Sequence, residues 1–94
     1  MYIINLTYKK DLNLVEKYLP DHISFLDKYY GLKKFICSGR KNPRIGGIIL
    51  CNASNTQEVN SIISEDPFNI NGIANYDITE FIPSKYDENF KSFV

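Results

Sequence analysis

The sequence has one histidine, two cysteines and no net charge, and each scarcity removes a class of function. Cys37 and Cys51 form no C-x-x-C motif, and a single histidine among scattered carboxylates is a poor ligand set, so neither a metal nor a cofactor is expected. Both cysteines are expected as small buried hydrophobes in a reducing compartment. Eleven Lys and Arg residues balance eleven Asp and Glu, and neither sign forms a block. The chain therefore lacks the basic footprint of a nucleic-acid partner, and Lys33-Lys34 and Arg40-Lys41 read as solvated strand ends. No run of 18 apolar residues occurs, and the start Met1-Tyr2-Ile3-Ile4-Asn5 reads as a strand without a basic leader, so no membrane partner and a cytoplasmic location are expected. Gly46-Gly47 lacks the Lys-Ser/Thr of a phosphate loop, and no G-x-S-x-G motif supports a serine hydrolase.

What the chain does have is enough to fold. With 94 residues, 44% hydrophobic and 14% aromatic, it can build one core and one domain. Tyr2 to Tyr8 alternates with period two and predicts a strand. Leu12, Val15, Leu19, His22, Leu26 and Tyr29 recur at helical spacing and predict a first helix, with Gly31 as its C-terminal cap. Pro20 predicts either two helical pieces or one bent helix, with Asp21 near a local N-terminus. Lys34–Lys41 and Arg44–Ala53 predict a hairpin turning at Asn42-Pro43. A second helix is expected over Thr56–Ser64, opened by Ser54 or Asn55, with Glu58 as capping-box partner three residues after Asn55, and stopped by Pro67. A loop follows over Asn69-Ile70-Asn71-Gly72, then a last strand over Ala74–Ile82 ended by Pro83.

Strand, helix, strand, strand, helix, strand in under a hundred residues predicts an α+β fold, the ferredoxin-like βαββαβ arrangement with a four-stranded antiparallel sheet carrying both helices on one face. The domain is expected over residues 1–83, with 84–94 as a C-terminal tail. The third strand is apolar on both faces, Ile45, Ile49 and Cys51 on one and Ile48 and Leu50 on the other, while Ile3 and Phe81 lie opposite the main apolar row. The face away from the helices thus needs a cover. A twofold homodimer would supply it at about 25 cal/mol per Å² of apolar surface buried; the alternative is that the aromatic tail folds back over it.

His22 lies on the apolar stripe of the first helix, where an imidazole needs a hydrogen-bond partner. Asp66 is the partner the order of elements favours, since it lies at the end of the second helix, beside the first. One reading makes the two an acid/base pair; the other makes His22 a satisfied core-edge histidine and Asp66 a turn former before proline. Ser38, Gly39 and Arg40 could hold an anionic or oxygen group of a small-molecule ligand or simply end a strand. Tyr8 can line a pocket, and Phe68 can wall it or anchor the turn.

His22-Ile23-Ser24-Phe25-Leu26, Ser38-Gly39, Gly46-Gly47-Ile48-Ile49 and Asp66-Pro67-Phe68 followed by Gly72-Ile73 together resemble the YCII-related (YciI-like) family over residues 1–83. The resemblance implies a dimeric α+β barrel and a catalytic pair matched here by His22 and Asp66. Asp21 departs from the family pattern, which favours a small residue just before the histidine. Three functions stay open: a cofactor-independent enzyme of lyase or isomerase type acting by proton transfer, a non-catalytic dimeric protein that binds a small ligand in the same pocket, and a purely structural dimerisation module, which leaves the His22 and Asp66 coincidence unexplained.

Overall fold

The first strand, β1 (Tyr2–Tyr8), buries Tyr2, Ile4 and Leu6 on one face, as its alternation predicts. The computed structural model covers all 94 residues. After β1 come α1 (Leu12–Gly31), β2 (Phe35–Arg40), β3 (Gly46–Cys51), α2 (Thr56–Ile63), a single turn α3 (Pro67–Ile70), β4 (Ala74–Glu80) and a 3₁₀ helix at Glu88–Phe93. The four strands form one antiparallel sheet in the order β2-β3-β1-β4. This is the expected α+β ferredoxin-like fold. Helix and sheet side chains share a single core that includes Val15, Phe25, Val59, Ile62 and Phe68.

Helix α1 is one uninterrupted element through Pro20, so Asp21 stands at no local N-terminus. Pro20 is solvent-exposed, and the carbonyl it leaves without an intrahelical donor can be hydrated on that side. The expected cap at Gly31 is displaced by two residues. Gly31 is the last helical residue and Lys33 takes the left-handed position at φ 62°, with Lys33 N–H donating to Tyr30 O and Lys34 N–H to Tyr29 O. That pair of bonds closes the helix as a Schellman turn.

Helix α2 is opened by the Asn55 side chain, which accepts from Glu58 N–H at 2.8 Å. The Glu58 carboxylate reaches Ser54 N–H, one residue earlier than the capping box predicts, and pairs with Lys34 at 2.9 Å. Pro67 does not stop this helix, which ends at Ile63. Proline instead takes the first position of α3, where its missing N–H costs nothing, and the expected loop over Asn69–Gly72 begins as that turn. Gly72 leaves it at φ 65°.

Strand β1 matches its sequence pattern, β2, β3 and β4 are one or two residues shorter at an end than theirs, and Ile45, placed on the buried row by that pattern, precedes β3 and is exposed. In β2 the pairing runs Phe35↔Cys51 and then Cys37↔Leu50, so Ile36 is an extra residue. The bulge reverses which side chains face the helices: beyond it Ser38 and Arg40 share the face of Ile49, and Cys37 and Gly39 share that of Ile48. Cys37 is accordingly exposed, contrary to expectation, whereas Cys51 is fully buried. Burial pushes the Cys51 thiol up to about 11. A thiol reagent such as DTNB at pH 8 is therefore expected to leave Cys51 unmodified in the native protein and to reach it only on unfolding.

Two surface carboxylates predict the acid limb of stability. Lys34 holds Glu58 below the ordinary carboxylate value of 4.5, helped by Ser54 N–H. Lys28 and the Tyr29 hydroxyl do the same for Glu65. Each carboxylate's folded value lies below its unfolded one, so the stability it contributes is present above about pH 4.5 and is lost as pH falls through the folded value. Thermal melts should therefore be flat from neutral pH to about 5 and fall below 4.5. The fall should be shallower in the double variant Glu58→Gln, Glu65→Gln.

Candidate functional site

Helix α1 turns His22 inward one turn from Leu19 and Leu26, and the tight turn into α3 brings Asp66 to it. His22 Nδ1 lies 2.8 Å from Asp66 Oδ1, with His22 8% and Asp66 0% exposed. Asp66 is also the N-cap of α3: Oδ1 accepts from Phe68 N–H at 2.9 Å. Its other oxygen, Oδ2, accepts from the Tyr76 hydroxyl at 2.6 Å. Burial, with the Asp66 charge second, pushes the Tyr76 hydroxyl far above the ordinary tyrosine value, so it remains a donor. A carboxylate surrounded by donors makes Nδ1 the donor of this contact, so in the neutral ring Nε2 is the atom that carries the lone pair.

The imidazole lies on Phe68, with ring centroids 4.1 Å apart and an angle of 8° between planes. Tyr8 meets Phe68 edge-on at 6.0 Å. Between α1 and the β2-β3-β1 part of the sheet lies a cavity of about 160 Å³. His22, Ser38, Gly39, Arg40, Tyr8 and Phe68 all line it, against an apolar wall that includes Leu6, Leu19, Ile23, Leu26 and Ile49. Six of the seven residues singled out in the sequence therefore meet at one cavity. The seventh, Asp66, stands behind the imidazole rather than on the wall. Ser38 Oγ is held 2.6 Å from the Tyr30 hydroxyl, and Arg40 reaches the cavity because the Ile36 bulge turns it to that face. Asp21, the departure next to the histidine, is exposed and does not line the cavity.

Tyr76 and Tyr30 are the residues that sequence reasoning did not single out. Tyr76 stands opposite Leu6, on the face that carries the core, but its alternation alone reads as packing. No group of three His, Cys, Asp or Glu side chains converges on a point suited to a metal ion. An ordered imidazole with a free Nε2, beside a hydroxyl and a guanidinium in an apolar cavity, can take a proton from a bound molecule and hold the oxygen on which charge then develops.

The fold is similar to that of a solved structure, the 5-chloro-2-hydroxyhydroquinone dehydrochlorinase TftG from Burkholderia phenoliruptrix AC1100 in complex with 2,5-dihydroxybenzoquinone. The two share 16% identity with a TM-score of 0.71 over 87% of this chain and 94% of that one, a likeness of fold. A search of curated proteins gives no match. The model of the YCII-related domain matches residues 1–82, and the chain belongs to the YCII-related family.

Proposed function

We propose that the protein is a cofactor-independent enzyme of lyase or isomerase type acting on a small ring-shaped molecule, with His22 as its general base. The observation that carries this is the His22 Nδ1–Asp66 contact of 2.8 Å on a fully buried carboxylate, which leaves Nε2 as the basic atom of a cavity-lining ring. A C–H beside a carbonyl gives its proton to Nε2, and the electron pair of that bond moves onto the carbonyl oxygen as an enolate. Ser38 and Arg40 hold that oxygen. The enolate collapses either by expelling a leaving group from the carbon next to the deprotonated one or, where a conjugated double bond extends it, by taking the proton back from Nε2 at the far carbon. Asp66 touches no substrate; it positions the imidazole and stabilises its protonated form. An apolar cavity of about 150 Å³ is known to accept one benzene ring, so 160 Å³ fits a single ring with small substituents. The dehydrochlorinase activity in the name of the structural neighbour supports elimination as the reaction class.

Deuterium exchange tests the base directly. A panel of cyclic ketones, lactones and hydroxyquinones, incubated with the protein in D₂O, should include one whose acidic C–H exchanges in a protein-dependent way by proton NMR. His22→Ala should slow that exchange by about 10² or more. A ligand that binds in the cavity without exchange or turnover would make the protein a binding module instead.

The working form is a homodimer joined through the outer sheet face. Ile48 is exposed there, and Ile3, Cys37, Ile48 and Leu50 line a groove on that face. The tail does not cover it: the 3₁₀ helix buries no residue, contributes nothing to the groove and is tied by Asn52 Nδ2 to Phe93 O at 3.3 Å. A second copy offers the same face by twofold symmetry. Sedimentation at micromolar concentration should give twice the chain mass, with Cys37 labelling slowing as concentration rises; a single-chain mass throughout would remove the dimer.

A further inference from the structure

The one formally charged side chain that lines the cavity is a cation, Arg40. Arg40 is in no ion pair and makes no side-chain hydrogen bond, whereas Lys28, Lys34 and Arg44 are each matched by a glutamate. No carboxylate lines the cavity. Asp66, behind the imidazole, spends Oδ1 on His22 and Phe68 N–H and Oδ2 on Tyr76. Ser38 and His22 supply neutral hydrogen-bonding groups. An unpaired guanidinium at an apolar cavity complements an anion, and its fork of donors suits two oxygens of a carboxylate or a deprotonated hydroxyl beside a carbonyl.

We infer that the cavity selects ring-sized ligands that already carry an anionic oxygen, held by Arg40 with Ser38, while the ring lies on the apolar wall within reach of His22. The inference rests on reading the cavity as the working site. It goes further by fixing the charge of the substrate before any chemistry. The same contact then serves the enolate step, because the cation that binds the ground-state anion also faces the oxygen that gains charge.

Benzoate and benzamide are the discriminating probes, equal in ring and near-equal in size but differing in charge. Titrated into the full chain and followed by ¹H–¹⁵N NMR at low salt, benzoate should bind about tenfold more tightly than benzamide, a partly exposed cation being worth no more than that. Both should perturb Ser38 and Phe68 amides. Arg40→Gln should weaken benzoate by about tenfold and leave benzamide unchanged. Half-molar NaCl should reduce the benzoate advantage. Equal binding of the two probes, benzoate affinity indifferent to Arg40→Gln, or no binding of either would each overturn the inference. Its fate separates from that of the proposed reaction. A His22-dependent turnover of a neutral ring compound would sink the charge selection alone, and Arg40-dependent benzoate binding with no exchange in any compound would sink the catalytic reading alone.

Discussion

Replacing Asp66 by alanine is expected to lower the unfolding free energy by about 4 kcal/mol, close to the whole stability of many domains this small. The carboxylate is fully buried and accepts from His22 Nδ1, Phe68 N–H and the Tyr76 hydroxyl. Truncation strands three donors at about 1–3 kcal/mol each and removes a helix cap worth about 1 kcal/mol, less what water entering the void restores. Urea denaturation followed by circular dichroism measures this, and a loss below about 1 kcal/mol would mean that the three hydrogen bonds carry no weight. Asp66→Asn separates structure from charge. Phe68 N–H selects the amide oxygen, so cap and imidazole orientation survive and the stability cost should stay near about 1–2 kcal/mol. The imidazolium formed on proton transfer then has no carboxylate, and exchange should fall by about 10². Imidazole ¹⁵N spectra that still show Nδ1–H in Asp66→Asn would establish that the charge, and not the tautomer, had been removed.

Gly46→Ala is expected to cost about 3 kcal/mol or more, or to abolish soluble expression. A Cβ built on Gly46 meets the backbone oxygen of Leu6 at 1.9 Å and its carbon at 2.8 Å. Both belong to the strand beside it: β1 and β3 are the two central strands, and Gly46 stands opposite Thr7. A neighbouring side chain could rotate away, but a backbone carbonyl in the middle of a sheet can yield only by parting the strands. Gly39→Ala supplies the contrast, since nothing lies within 4 Å of its Cβ position; its stability should change by less than about 1 kcal/mol. Denaturation midpoints of the two variants compare them directly.

Much of this was legible from the amino-acid pattern because the pattern and the physics coincide. The alternation of Tyr2 to Tyr8 and the helical spacing of Val15, His22 and Tyr29 are consequences of one-sided burial, so they announce the elements that create them. His22 and Asp66 could be paired because order of elements alone brings α1 beside the turn after α2. What escaped depends on geometry without a compositional mark. Pro67 reads equally well as the stop of one helix and the first residue of the next, and only the chain path distinguishes them. Lys33 carries no sign of its left-handed conformation, while Gly31, which looks like a cap, stays helical. Tyr76 is one of seven tyrosines, and its hydroxyl matters solely because Asp66 arrives from elsewhere. Cys37 was expected inside as a small hydrophobe, and the Ile36 bulge instead turns it to the outer face.

The bulge has a consequence for how such a site can change. The bulge at Ile36 decides which half of β2 meets the cavity, so the wall chemistry is set by strand pairing and not only by identities. Pairing the same residues without the bulge, in strict alternation from Phe35, would present Cys37 and Gly39 to the imidazole in place of Ser38 and Arg40. A hydroxyl and a cation would give way to a thiol and bare backbone, with the sheet order and the His22–Asp66 contact left alone. Loss of Ile36 itself, by contrast, leaves Cys37↔Leu50 and Ser38↔Ile49 directly after Phe35↔Cys51, so the cavity wall survives deletion of the very residue that bulges.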